Sequence, residues 1–170
     1  MKPYTQIGVV IRDAGSAIVT VNHSRNEDCV VTGIETLPYN PEALAERVAD
    51  LDESASKDSQ FVIDGDSLGN ALWKILGPDP VKDKQRFRLY AERGLVRQAL
   101  VDSLVVAMAR DGLHFKSRIP AQAVMNKALL SYKRTVREDG EVGTELVVAL
   151  CLAVLPRVLP IRHIAFIVDT

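Results

Sequence analysis

Residues 61–70 read FVIDGDSLGN, in which three apolar residues lead directly into Asp64, Gly65 and Asp66. A short, continuously apolar run that stops at a polar turn is typical of an interior strand with both faces covered. A carboxylate at the end of such a strand can lie in a cleft beside the sheet. It can equally belong to an ordinary polar loop that ends the strand, so the neighbouring elements have to be considered.

Three predicted strands and a helix precede this stretch. The apolar segments IGVVI (7–11) and AIVTV (17–21) flank a short Asp-Ala-Gly turn that suits a hairpin, and CVVTGIETL (29–37) follows a second polar turn. The segment NPEALAERVADLDE (40–53) begins with a capping residue, a proline and an acid, which predicts a helix. The strand ending at Asp64 is therefore reached from a three-strand meander through a helix.

Helices predominate in the rest of the chain, with short strands between them. The predicted helices are SLGNALWKIL (67–76), 93–112, 120–139 and the almost wholly apolar 143–155, and the predicted strands are RFRLY (86–90), LHFK (113–116) and RHIAFIVDT (162–170). This order predicts an α/β fold with a ribonuclease H-like mixed sheet, a three-strand meander followed by strands reached through helices, and helices on both faces. We expect one such domain over residues 1–170.

Composition excludes several classes of protein. The chain has 170 residues, 47% of them apolar and 25% charged, which is enough to build a core and excludes a disordered protein. No apolar run reaches the roughly 20 residues that span a bilayer, and no secretory leader is evident. Cys29 and Cys151 lie in apolar surroundings, which predicts reduced core thiols. We therefore expect a cytoplasmic protein with no membrane partner.

Basic residues concentrate in two stretches, 82–97 and 116–137, with six in each. The first stretch contains two acids and the second contains none. Such stretches can follow a phosphate backbone, or they can be solvated faces of helices and loops. The candidate DNA-binding residues are Lys82, Lys84, Arg86, Arg88, Lys116, Arg118, Lys127, Lys133, Arg134 and Arg137.

The carboxylates suggest metal chemistry. Two-metal cleavage of a phosphodiester needs several carboxylates in one place, because Mg²⁺ and Mn²⁺ prefer hard oxygen ligands. Asp64, at the strand end, is the best candidate for a bridging ligand, and Asp66 either assists it or caps the next helix. Glu145 lies in the first turn of the predicted buried helix. It either points toward the sheet edge or is simply an acid favoured by the helix N-terminus.

From about residue 4 to 155, the sequence resembles the C-terminal nuclease domain of the large terminase subunit of tailed bacteriophages. The similar stretches are VVTGIETLPYNPEALAERVADL (30–51), FVIDGDSLGNALWKIL (61–76), 99–140 and GTELVVALCLAVL (143–155). The resemblance implies a ribonuclease H-like domain that cuts double-stranded DNA with Mg²⁺ or Mn²⁺ held by Asp64, Glu145 and Asp66. It also implies a phage or prophage protein of the host cytoplasm, with the ATPase motor, portal and small terminase as partners.

The sequence departs from this family at two ligand positions. Members place the first metal-binding aspartate inside strand one, and alignment on the glycine of that strand puts Val10 there. Asp13 is close, but it falls in the predicted hairpin and needs a register shift or bulge to reach the site. The paired aspartates before the late helix appear as Thr144 and Glu145. The phosphate-binding loop of the ATPase motor is absent from the chain.

Three hypotheses follow. In the first, the domain is a metal-dependent endonuclease in which Asp64 and Glu145 hold metal and Asp66 or Asp13 completes the catalytic set. In the second, the same fold has lost cleavage and binds DNA or another packaging protein. Val10 favours the second hypothesis, whereas Asp64 together with Glu145 favours the first. A structure-specific nuclease such as a junction resolvase, which shares the fold, is the third.

Overall fold

The computed structural model describes residues 2–26, 28–65, 67–77, 86–90, 95–138 and 145–155. Its elements, in chain order, are β1 (Tyr4–Arg12), β2 (Gly15–His23), β3 (Cys29–Leu37), α1 (Pro41–Ser54), β4 (Gln60–Asp64), α2 (Ser67–Leu76), β5 (Phe87–Tyr90), α3 (Leu95–Ala109), β6 (Leu113–Phe115), α4 (Gln122–Glu138) and α5 (Glu145–Val154). The predicted last strand at 162–170 lies outside the described residues.

The six strands form one mixed sheet in the order β5-β4-β1-β2-β3-β6. Strands β1, β2 and β3 pair antiparallel, as the predicted meander requires. Strand β4 joins β1 in parallel, β5 joins β4 in parallel, and β6 joins β3 in parallel. Parallel neighbours need a connection that crosses the sheet, and the helices between these strands provide it.

Helices cover both faces of the sheet, as the sequence predicts. Odd-numbered side chains of β1, from Ile7 to Ile11, pack against α1 and α2. Even-numbered positions, from Gln6 to Val10, face α5, with α3 and α4 beside it in the same core. Strand alternation thus divides the apolar residues between two cores.

Helix α5 lies at the centre of the second core, and every residue from Leu146 to Val154 is buried. This confirms the expectation from its almost entirely apolar sequence. No helix in the described ranges is long and apolar enough to cross a membrane.

The direction of α5 determines which end of it meets the candidate carboxylates. Gln6, near the start of β1, donates from Nε2 to the carbonyl oxygens of Leu152 and Leu155 at 2.7 and 2.9 Å. The C-terminal end of α5 therefore lies over the start of β1. Its first residue, Glu145, consequently lies toward the opposite end of the strands, where β1 and β4 end.

Candidate functional site

Asp64 is the last residue of β4, on the face of the sheet that α5 covers. The parallel register puts Val9 of β1 opposite Ile63 of β4, and the next step along both strands brings Val10 beside Asp64. Val10 is fully buried in the core under α5. An apolar side chain therefore occupies the position at which the sequence resemblance expects a metal-binding aspartate.

A cation already contacts Asp64. Arg12, the last residue of β1, donates from Nη2 to Asp64 Oδ2 at 2.8 Å. The Asp64 side chain is 2% exposed and the Arg12 side chain 31% exposed, so the pair connects the interior to the surface at the sheet edge. The Nε of Arg12 is buried and has no hydrogen-bond acceptor among the described residues.

The sequence alone does not mark Arg12 as a functional residue. The available signal was its spacing: a residue two positions after Val10 in a strand lies on the same face of the sheet. A cationic side chain at the end of β1 is thus positioned to meet a carboxylate at the end of the parallel neighbour.

Glu145 begins α5 and is half-buried. It lines a cleft of about 360 Å³, whose other walls come from the β1–β2 hairpin, the end of β3 and α4. Lys127 of α4 lines the same cleft. Glu145 thus lies toward the same end of the strands as Asp64, beside a cleft whose lining includes the predicted DNA-binding residue Lys127 but not Asp64.

The two remaining candidate carboxylates are placed differently. Asp13 is exposed in the turn between β1 and β2. The β1–β2 register runs without a shift from Tyr4 opposite His23 to Arg12 opposite Gly15, so Asp13 lies beyond the last paired residues. Asp66 lies outside the described residues.

The described side chains do not fit a pair of divalent metal ions. Two such ions, roughly 3.5–4 Å apart, need several carboxylates around them. Asp64 is paired with Arg12, and Val10 beside it offers no ligand atom. Within the described part of the chain, no group of three or more His, Cys, Asp or Glu could hold a metal ion.

The predicted DNA-binding residues divide into three groups. Arg86 is engaged within the protein, since its Nη2 lies 2.6 Å from Asp52 Oδ1, and Arg88 lies on β5. Lys116, Arg118 and Lys127 are exposed. Lys82 and Lys84 lie outside the described residues. The side chains of Lys133, Arg134 and Arg137 also lie outside the described structure.

A buried polar cluster at the opposite end of α5 is structural. His23 Nε2 donates to the Ala153 carbonyl oxygen at 2.8 Å, and its ring stacks on Tyr4 with centroids 4.4 Å apart. The Cys29 thiol lies 3.6 Å from His23 Nδ1. Burial and the nearby Asp28 charge raise the pKa of Cys29 to about 11, which excludes a reactive thiolate at neutral pH. Both cysteines are free and buried, as predicted.

Solved structures with a similar fold include a viral nuclease domain. The human cytomegalovirus terminase nuclease domain, soaked with Mn and bound to an inhibitor, has a TM-score of 0.56 at 13% identity, covering 89% of this chain and 80% of that chain. The same domain in a second Mn-soaked structure has a TM-score of 0.57 at 12% identity with the same coverage. The yeast mitochondrial Holliday junction resolvase has a TM-score of 0.49 at 10% identity, covering 88% of this chain and 77% of that chain.

Sequence comparison alone does not detect this likeness. No protein-family model matches the chain, and no curated protein sequence does so either. At identities this low, similarity to solved structures establishes the fold. The chain has the ribonuclease H-like fold of a viral terminase nuclease domain.

Proposed function

We propose that this chain is a nuclease-like domain of a viral DNA-packaging machine that binds double-stranded DNA without metal-dependent cleavage. The observation that carries the proposal is the ion pair between Arg12 and Asp64 at the end of β4, with Val10 alongside. In this arrangement the buried carboxylate has its counter-charge from the protein, and the neighbouring position offers no second ligand. Among the described residues, cleavage that depends on two clamped metal ions therefore lacks its ligand set.

Binding to DNA is supported by the fold and by the exposed basic residues. The neighbour with the same fold is named as a terminase nuclease domain. Lys116, Arg118 and Lys127 are exposed, and Lys127 lines the same cleft as Glu145. Bonds from such side chains to phosphates give affinity without reading the base sequence. We therefore expect binding that is insensitive to sequence and sensitive to salt.

Fluorescence anisotropy with a labelled duplex tests the binding. We expect the wild-type chain to bind in EDTA, with affinity falling as salt rises. Charge reversal at Lys116, Arg118 and Lys127 should reduce the slope of log K against log salt by about 0.9 for each phosphate that the variant no longer neutralises. Lys57→Glu is the matched control, since Lys57 is exposed in the loop before β4, away from this edge. Absence of duplex binding by the folded wild-type chain contradicts the proposal.

Supercoiled-plasmid nicking tests the absence of cleavage. The wild type and Asp64→Asn are compared in Mn²⁺, Mg²⁺ and EDTA. We expect no nicking above the level of the EDTA control in any sample. Metal-dependent nicking that disappears in Asp64→Asn would instead establish the alternative function.

That alternative is a metal-dependent DNA endonuclease of the same packaging type. Its support is that Asp64 ends β4 and Glu145 begins α5, together with a fold shared with a Mn-soaked nuclease domain. In this alternative Asp13 or Asp66 replaces the carboxylate missing at Val10. Arg12 also has to leave Asp64 before a metal ion can bind.

A further inference from the structure

We infer that the guanidinium of Arg12 is a resident substitute for the metal cation at the end of β4. A divalent-cation site should therefore appear when Arg12 is removed and a carboxylate is restored at position 10. The inference rests on the proposed function in one respect: it takes this sheet edge to be a former nuclease site. Duplex binding by the wild type tests that premise separately.

The buried carboxylate of Asp64 needs an opposite charge beside it. A carboxylate that is 2% exposed loses nearly all of its hydration, and an ionised group in that state needs an opposite charge close by. In a two-metal nuclease the bound cations provide that charge. In this chain Arg12 provides it at 2.8 Å. Because a guanidinium does not lose its proton in proteins, the charge at this position is permanent.

Arg12 also lies where a cation at the ends of β1 and β4 would lie. Parallel pairing puts Val10 next to Asp64 on the face under α5, and Arg12 follows two residues later on the same face. The cationic group of Arg12 reaches back to the Asp64 carboxylate from the sheet edge. It thus contacts the same carboxylate that a metal ion between the ends of β1 and β4 would use.

Arg12 uses only part of its hydrogen-bonding capacity within the described structure. Arginine–carboxylate pairs frequently use two parallel N–H donors. Arg47 does this with Glu35, through Nε at 2.7 Å and Nη2 at 2.8 Å. Arg12 contacts Asp64 through Nη2, whereas its Nε is buried without an acceptor among the described residues. Arg12 therefore supplies a compensating charge to Asp64 rather than two parallel hydrogen bonds.

Binding of Mn²⁺ in solution tests the inference without any assay of activity. Free Mn²⁺ is measured by electron paramagnetic resonance for the wild type, Arg12→Ala and the double variant Val10→Asp/Arg12→Ala. Asp64→Asn is added to each background to remove the ligand. Arg47→Ala is the matched control, because it also frees a carboxylate, Glu35, from an arginine at a similar distance. Circular dichroism establishes that each variant is folded.

We expect no Asp64-dependent Mn²⁺ binding in the wild type and none in Arg47→Ala. Arg12→Ala should bind Mn²⁺ weakly, and the double variant at least about tenfold more tightly, since each added carboxylate contributes a charged oxygen ligand. Asp64→Asn should abolish both. Mn²⁺ should also raise the melting temperature of the variants that bind it.

Two results overturn the inference. One is Mn²⁺ binding by the wild type that Asp64→Asn removes, because Arg12 would then coexist with a metal ion. The other is a folded double variant that binds Mn²⁺ no better than Arg47→Ala. If the double variant does not fold, Arg12→Ala is judged by the same comparison. If neither variant folds, Mn²⁺ binding by the wild type is compared with binding by Asp64→Asn. Equal binding by the two proteins supports the inference.

Discussion

At its C-terminal end helix α5 is tied to the sheet by side-chain hydrogen bonds, whereas at its N-terminal end it borders an open cleft. Gln6 and His23 donate three bonds to carbonyl oxygens in the last turns of the helix. At the other end, Glu145 lines a cleft of about 360 Å³. The last carbonyls of a helix lack partners within it, so donors from the sheet stabilise the C-terminal end of α5, which we call its closed end. The N-terminal end of α5, which we call its open end, leaves charged side chains available to a ligand.

This difference separates residues that hold the fold from residues available for function. Substitutions at the closed end should reduce stability and leave DNA binding unchanged in whatever fraction stays folded. Substitutions at the open end should reduce DNA binding and leave stability unchanged. Variants at both ends test this, beginning with the largest expected change in the free energy of unfolding.

Replacement of Gly8 by alanine should be the most destabilising change. A Cβ at Gly8 would collide with the Ala149 carbonyl group, 2.9 Å from its carbon, and would lie 3.0 Å from the Ala153 nitrogen. These are backbone atoms, so α5 itself has to move away from β1. We expect a loss of about 3 kcal/mol in the free energy of unfolding, measured by urea denaturation.

Gly33→Ala is the matched control in β3. There a Cβ would meet the end of the Thr20 side chain, 3.3 Å from its Oγ1, and that side chain can adjust. The expected loss is less than about 1 kcal/mol. Equal losses in the two variants would contradict the view that the close approach of β1 to α5 is what requires glycine.

Replacement of Gln6 by leucine should produce the next largest loss. Leucine has a similar volume but no donor, so the Leu152 and Leu155 carbonyl oxygens lose their partner. Each hydrogen bond removed costs about 0.5–1.5 kcal/mol, which gives an expected total of about 2 kcal/mol. Chemical denaturation measures the change. A stability equal to the wild type would show that these carbonyls are satisfied in another way.

The closed end should also make stability depend on pH. Burial lowers the pKa of His23 from its ordinary value of 6.5, and the hydrogen bond to Ala153 opposes this in part. Because the pKa is lower in the folded state, the unfolded chain takes up this proton first as pH falls. Stability from His23 is therefore fully present above about pH 6.5 and is lost as pH falls from there through the folded-state pKa.

The expected loss is at most about 1.4 kcal/mol per pH unit over that interval. Denaturation of the wild type and His23→Gln between pH 5 and pH 8 measures it, and the variant should lose this part of the dependence. His114→Gln is the control, since His114 is exposed on β6, and it should retain the wild-type profile. If His23→Gln keeps the wild-type dependence of stability on pH, that dependence comes from other groups.

The sequence was sufficient to predict the elements whose signals are local. The sequence predicts Asn40 as a cap, and its side chain accepts a hydrogen bond from the Ala43 nitrogen at 3.0 Å. The apolar pattern of residues 146–154 predicted a buried helix, and these residues are buried. Alternating apolar segments separated by short turns predicted the meander of β1, β2 and β3. In each case the determining residues lie within a few positions of each other.

The sequence did not predict which charges meet across the fold. Arg12 and Asp64 are 52 residues apart, and their pairing depends on the register of two parallel strands. Arg86 belongs to a basic stretch of the sequence, yet its side chain pairs with Asp52 near the end of α1. A run of charges in a sequence gives no information about the partner that each side chain meets. The candidate carboxylates themselves, including Asp64 and Glu145, remain predictions as functional residues.

The smallest change in stability should come from Lys127→Ala at the open end. Lys127 is exposed on α4, beside the cleft that Glu145 lines, so its removal leaves no cavity and no buried polar group without a partner. We expect the free energy of unfolding to change by less than about 0.5 kcal/mol, while duplex affinity falls and the salt slope decreases by about 0.9. Lys74→Ala is the control, since Lys74 is exposed on α2, which packs on the other face of the sheet. If Lys127→Ala and Lys74→Ala reduce duplex affinity equally, the cleft has no special role in binding DNA. If Lys127→Ala destabilises the protein as much as Gln6→Leu, the distinction between the two ends of α5 is wrong.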